Sequence, residues 1–89
     1  MKKYKLRFSY DVVDIAGTKL VIFNDGSENA FIVNSETVYI LCLLQQANIV
    51  TDIVKKIEKK YNVNMILAKD IVLTLINSLQ ENHLLVTEK

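Results

Sequence analysis

The residues able to do covalent or metal chemistry are few. Cys42 is the only cysteine and His83 the only histidine in a chain of 89 residues. A thiol nucleophile needs a base to take its proton, and no histidine lies near Cys42 in the sequence. Cys42 sits inside the apolar run Ile40 to Leu44, where burial would raise a thiol pKa and leave it inert. It reads as a packing residue. His83 has no companion ligands, so it reads as a helix-end residue and not as part of a metal site. The carboxylates form no acid–base pair, there is no Ser/His or Cys/His set, and no glycine-rich loop could cradle a phosphate. The expectation is a non-catalytic chain with no catalytic residues, no metal and no cofactor.

What remains is recognition. The lysines on one segment, Lys55, Lys56, Lys59 and Lys60 around Glu58, form a solvated helix face that could also dock an acidic enzyme surface. The formal net charge is only +1, which argues against a bulk electrostatic binder of nucleic acid, so partner choice must come from shape. Half of the residues are apolar, against disorder. A single cysteine excludes an internal disulfide framework or a cysteine zinc cluster and suits a reducing compartment. Met1-Lys2-Lys3 could open a signal peptide, but Tyr4-Lys5-Leu6-Arg7 breaks any apolar core for one. The longest apolar run, Val38 to Leu44, is far too short to span a membrane. The chain reads as soluble and cytoplasmic, one domain over residues 1–89.

The elements that must position a recognition surface centre on Asn29 to Leu44. Ala30-Phe31-Ile32-Val33 is apolar at every position, which predicts a strand with both faces covered. Asn34 or Ser35 can then cap a helix, with Glu36 at its positive end. Before this junction, Lys3 to Tyr10 alternates as a half-buried strand or arm, with Tyr4, Leu6, Phe8 and Tyr10 on one side. Asp11 to Ile15, a reversal at Ala16-Gly17, Lys19 to Phe23, and a polar loop from Asn24 to Asn29 complete a small antiparallel sheet. After it come three helices. The first, Ser35 to Gln46, packs through Val38, Leu41 and Leu44. The second, capped by Asn48, runs to Tyr61 with Ile53, Val54, Ile57 and Tyr61 inward. The third extends to about Glu81 with Leu67, Ala68, Ile71, Val72, Leu75, Ile76 and Leu79 on its core arc. Lys69, Leu73, Ile76 and Gln80 form a second stripe bordering that arc. Leu84-Leu85-Val86 can add a closing strand. The fold class is α+β, a winged helix-turn-helix outline with a small antiparallel sheet followed by three helices, and the third helix should leave a groove beside an open strand edge.

The stretch Ala30 to Thr37, the leucine-rich helix after it, Val50 to Ile57, Leu75 to Leu79 and Leu84-Leu85 resemble the PqqD family. Those proteins are small winged-helix peptide chaperones, also called RiPP recognition elements, and the resemblance runs from about Gly17 to Val86. It implies a non-enzymatic role, holding the leader of a ribosomal precursor peptide and presenting it to a modifying enzyme, often a radical SAM protein. It also implies that the leader adds as a strand against Phe31, Ile32 and Val33 and beside Lys69, Leu73, Ile76 and Gln80. Strand addition suits the physics, because an open edge offers free backbone groups to any extended guest while neighbouring pockets select its side chains. Lys69 at the rim would favour an acidic leader residue. Two features depart from the family. Where it usually has glycine, His83 stands here, so Asn82 or His83 must take the unusual backbone angles. The aromatic arm, longer than expected, could pair with the sheet, exchange with a second copy as a homodimer, or compete with the peptide. The alternative functions are a DNA-binding winged-helix regulator, for which the third helix offers only Lys69 as a base beside Asp70 and Glu81, and a plain subunit or dimerisation module using the same edge.

Overall fold

The aromatic arm does not form one strand. In the computed structural model, which describes residues 1–27 and 29–88, it divides into β1 (Lys3–Leu6) and β2 (Tyr10–Ile15). The predicted alternation survives the break: Leu6 is buried and Tyr4, Phe8 and Tyr10 are half-buried, while Lys3, Lys5, Arg7 and Ser9 are exposed. The break arises because the backbone on its two sides serves different partners. The Leu6 N–H donates to the Leu44 carbonyl (2.8 Å) and the Arg7 N–H to that of Leu84 (2.9 Å), whereas the Ser9 carbonyl accepts from the Asn24 N–H (2.9 Å).

β2 returns as β3 (Thr18–Phe23) through a two-residue turn. Ala16 and Gly17 both have positive φ, 53° and 82°, the mirror-image turn whose twist matches that of the flanking strands. Lys19 and Asp14 face each other across this hairpin and form an ion pair at 3.2 Å. The next reversal uses Gly26 at φ 84°. There Asp25 Oδ1 accepts from both the Ser27 N–H and its hydroxyl, and those two bonds hold the Asp25 carboxyl below the usual carboxylate range. The predicted loop from Asn24 to Asn29 includes Glu28, which lies outside the described residues.

β4 (Ala30–Val33) closes a three-stranded antiparallel sheet of order β2-β3-β4, with Val21 opposite Phe31 and Leu20 opposite Ile32. The expectation that both of its faces are covered is not met. Phe31 and Val33 are half-buried, but Ile32 is 77% exposed. The outward side chain joins Leu20 and Val13 in an apolar row across the outer face, in accord with their pairing.

α1 (Ser35–Leu43) begins at Asn34, whose Oδ1 accepts from the Thr37 N–H at 2.9 Å, satisfying one of the free first-turn donors. Ile40, Leu41 and Leu44 fill the core, and Cys42 between them points out and is exposed, which corrects its reading as a buried packing residue. α2 (Val50–Tyr61) buries Ile53, Val54 and Ile57 as its periodicity predicts. Its N-cap is Ile49, with no side-chain bond, and not Asn48. Asn48 works on the preceding helix: its Nδ2 donates to the Leu43 carbonyl at 2.7 Å, at the end where helix carbonyls lack partners, while its backbone exchanges two hydrogen bonds with Tyr4. Tyr61 at the end of α2 stacks edge-on against Tyr39 at 6.2 Å and its hydroxyl reaches the Ser35 carbonyl at 3.4 Å. That tie holds the C-terminal end of α2 against the start of α1.

α3 (Met65–Glu81) is capped by Asn64, whose Oδ1 accepts from the Leu67 N–H at 2.8 Å. Its other end is a Schellman motif. His83 takes the left-handed position at φ 58°, its N–H donates to Gln80, and the Leu84 N–H donates to the Leu79 carbonyl. Of the two residues open to this role, His83 is the one that fills it. Leu79 and Leu84, brought together by the motif, are both buried. β5 (Leu85–Glu88) then pairs antiparallel with β1 as a separate two-stranded sheet. No helix among the described residues is long and apolar enough to cross a membrane.

Candidate functional site

β4 hydrogen-bonds only to β3 among the described residues, so its other margin is open. In a strand, alternate residues turn their N–H and C=O to opposite sides, so half of the β4 backbone groups face that margin without a ladder partner. An open edge alone is common. What distinguishes this one is its neighbour: α3 runs alongside, leaving a groove of about 700 Å³ between helix and strand. That volume is in the range of a site for several side chains. The β2 margin is also open, but no β2 residue lines this groove.

The groove is built from the inner face of the sheet upward. Tyr10, Phe23 and Phe31 stack across β2, β3 and β4 with ring centroids 5.9 and 6.0 Å apart, which holds the Phe31 ring in the floor. Burial pushes the Tyr10 phenol above its ordinary pKa, and nearby Cys42 adds to that effect. Val21, Leu41 and Leu84 complete an apolar floor, and Val33, Asn34 and Thr37 form the strand-side wall. Across from them α3 presents two parallel rows at four-residue spacing. Ile71, Leu75 and Leu79 supply the apolar row, and Asp70, Thr74, Ser78 and Asn82 the polar one. The short side chains of Thr74 and Ser78 leave the space between helix and strand unfilled.

The predicted strand residues Phe31, Ile32 and Val33 all line this groove, Ile32 at its rim. The four predicted helix residues do not. Lys69 and Leu73 line a separate shallow concavity with Met65, Ile66 and Asp70, Ile76 is in the core at 2% exposure, and Gln80 is exposed and outside both concavities. At 3.6 residues per turn, the helix face turned toward β4 lies nearly opposite the stripe read off the sequence. Leu67, assigned to the core arc, is exposed as well. The missed residues carried a signal: Asp70, Thr74, Ser78 and Asn82 are short polar side chains four apart on a helix otherwise apolar around most of its circumference. Among the described residues no group of three or more His, Cys, Asp or Glu could hold a metal ion.

A family model described as coenzyme PQQ synthesis protein D, PqqD, matches residues 19–85 of the chain. The chain belongs to the PqqD family. The matched segment takes in β3 apart from its first residue, β4, all three helices and the first residue of β5, and so includes both walls of the groove. Two solved structures are similar to this PqqD-family chain. One is a lasso peptide synthetase B1 complexed with the leader peptide, with 19% identity and a TM-score of 0.70 over 93% of this chain and 96% of that one. The other is the solution structure of the PqqD truncation of Methylobacterium extorquens PqqCD, described as a stand-alone RiPP recognition element. It has 15% identity and a TM-score of 0.71 over 94% of this chain and 88% of that one. At these identities the likeness is one of fold, and it confirms the α+β arrangement expected from the sequence. No curated protein matches the chain.

Proposed function

We propose that this PqqD-family chain is a non-catalytic recognition element that binds the leader of a ribosomal precursor peptide by strand addition to β4. The observation that carries this reading is the open β4 margin facing an apolar groove walled by α3. A guest backbone would satisfy the unpartnered N–H and C=O groups whatever its sequence, and its alternate side chains would drop between Phe31, Val33, Ile71 and Leu75. Affinity and selectivity are then supplied by different atoms. The solved relative holding a leader peptide supports the same assignment by likeness of fold. A modifying enzyme is the expected recipient of the held peptide, and the family resemblance supports a radical SAM protein in that role. The peptide-contacting set proposed from the geometry is Phe31, Ile32 and Val33 on the strand with Ile71, Thr74 and Leu75 on the helix.

The test is a titration of ¹⁵N-labelled protein with the synthetic leader of a precursor peptide encoded beside the gene. Amide signals of Ala30 to Val33 and of Ile71 to Ser78 should move together, and those of the α2 lysine face should stay in place. Movement confined to the lysine face, or none at saturating peptide, would count against the reading.

A further inference from the structure

We propose that the groove selects a guest strand carrying a lysine or arginine beside Asp70, an inference that rests on the leader-binding reading and specifies its substrate. Among the described residues Asp70 is the only charged one in the groove lining, since every other lining side chain is apolar or neutral. Lys69, the rim cation expected to attract an acidic guest, does not line the groove; it lines the neighbouring concavity, to which Asp70 also contributes. The only ion pair among the described residues is Lys19 with Asp14, so within them Asp70 has no cation at ion-pair distance. Its position is also informative. Tyr61 ties the end of α2 to Ser35, and α3 starts at Met65, so the second turn of α3 lies at the Val33–Asn34 end of β4. The groove therefore has a charged end and an uncharged body. A lysine or arginine fits this layout because its stem can lie along Ile71 while its head reaches the carboxylate. A guest aspartate or glutamate there would meet a like charge in a space partly emptied of water by the guest itself.

The experiment is a selection from a displayed library of random twelve-residue peptides on wild-type protein, Asp70→Asn and Asp70→Lys, followed by titration of individual winners. Asp70 is exposed, so both variants should keep the wild-type circular dichroism and melting temperature. Wild-type winners should share an alternating apolar pattern with lysine or arginine enriched at one fixed position. That enrichment should vanish with Asp70→Asn and turn to aspartate or glutamate with Asp70→Lys. Changing the selected lysine to glutamate should weaken wild-type binding about fivefold or more, and Asp70→Lys should restore it. Winners that compete for the groove but show no charge preference, or keep it in Asp70→Asn, overturn the charge proposal and leave strand addition standing. If no winner is displaced or weakened by Leu75→Asp, the groove reading itself fails and takes this proposal with it.

Discussion

Leu75 and Leu73 sit two residues apart on α3, both half-buried, and only Leu75 faces the groove. Truncating each to alanine is therefore a controlled comparison of helix faces. Leu→Ala deletes three carbons, worth about 0.8 kcal/mol each when fully taken out of water. Part of Leu75 already packs against the core, so a guest strand would cover roughly half of the side chain, or about 1.2 kcal/mol. That corresponds to a Kd about sevenfold to tenfold weaker for Leu75→Ala. Leu73→Ala should change Kd by less than about twofold, because its side chain lies in the other concavity. The assay is fluorescence anisotropy with a labelled leader peptide, performed well below the melting temperature of both variants. Folding is checked separately, since Leu75→Ala also loses core contacts and should cost roughly 1–2 kcal/mol of stability. A loss for Leu73→Ala equal to or larger than that for Leu75→Ala would refute the groove as drawn and return weight to the stripe of Lys69, Leu73 and Gln80.

The remaining predictions concern the scaffold and its titration. His83→Gly should stabilise the protein by roughly 1 kcal/mol, because glycine takes the left-handed position after α3 without a Cβ clash. A melting temperature raised by several degrees checks it, and an unchanged or lowered one contradicts it. Asn64→Ala removes the acceptor for the Leu67 N–H and should cost about 1 kcal/mol in denaturant unfolding. Because Asn64 is outside the groove lining, peptide affinity should hold. Folding raises the Tyr10 pKa, mainly by burial, so the native state favours the neutral phenol. The associated stability is fully present below the unfolded value of about 10 and is lost as pH rises beyond it. Tyr10→Phe should flatten that alkaline loss, and an identical slope in both proteins would contradict the assignment. Leader binding should weaken only modestly between low and high salt, as few charges line the groove. A steep log-linear decline would instead indicate a nucleic-acid mode.

Much of this architecture is local and was legible for that reason. The cap at Asn34, the Ala16-Gly17 reversal and the inner face of α2 each follow from residues close together in sequence, and each appears in the fold. What could not be read depends on partners distant along the chain. Ala30 to Val33 is apolar throughout, so composition could not reveal that Ile32 faces out; its pairing with Leu20 on the outer face decides that. Asn48 is a good cap residue by type, yet Leu43 and Tyr4 claim its groups. The face of α3 turned toward β4 was the least legible feature. Ile66, Leu67, Ile71, Val72, Leu73, Leu75, Ile76 and Leu79 make the helix apolar over most of its girth, and a helical wheel fixes relative positions without saying which arc meets the sheet. The contact of α3 with the strand side of the molecule sets that arc, and the short polar row from Asp70 to Asn82 marks it.

The most direct test of strand addition is a set of intermolecular nuclear Overhauser contacts between labelled protein and unlabelled leader peptide. Backbone-to-backbone contacts should run in step along Ala30 to Val33, with peptide side chains alternately near Ile71 or Leu75 and near Ile32. Contacts from the peptide backbone to β2 instead, or contacts to α3 side chains with none to the β4 backbone, would contradict the account.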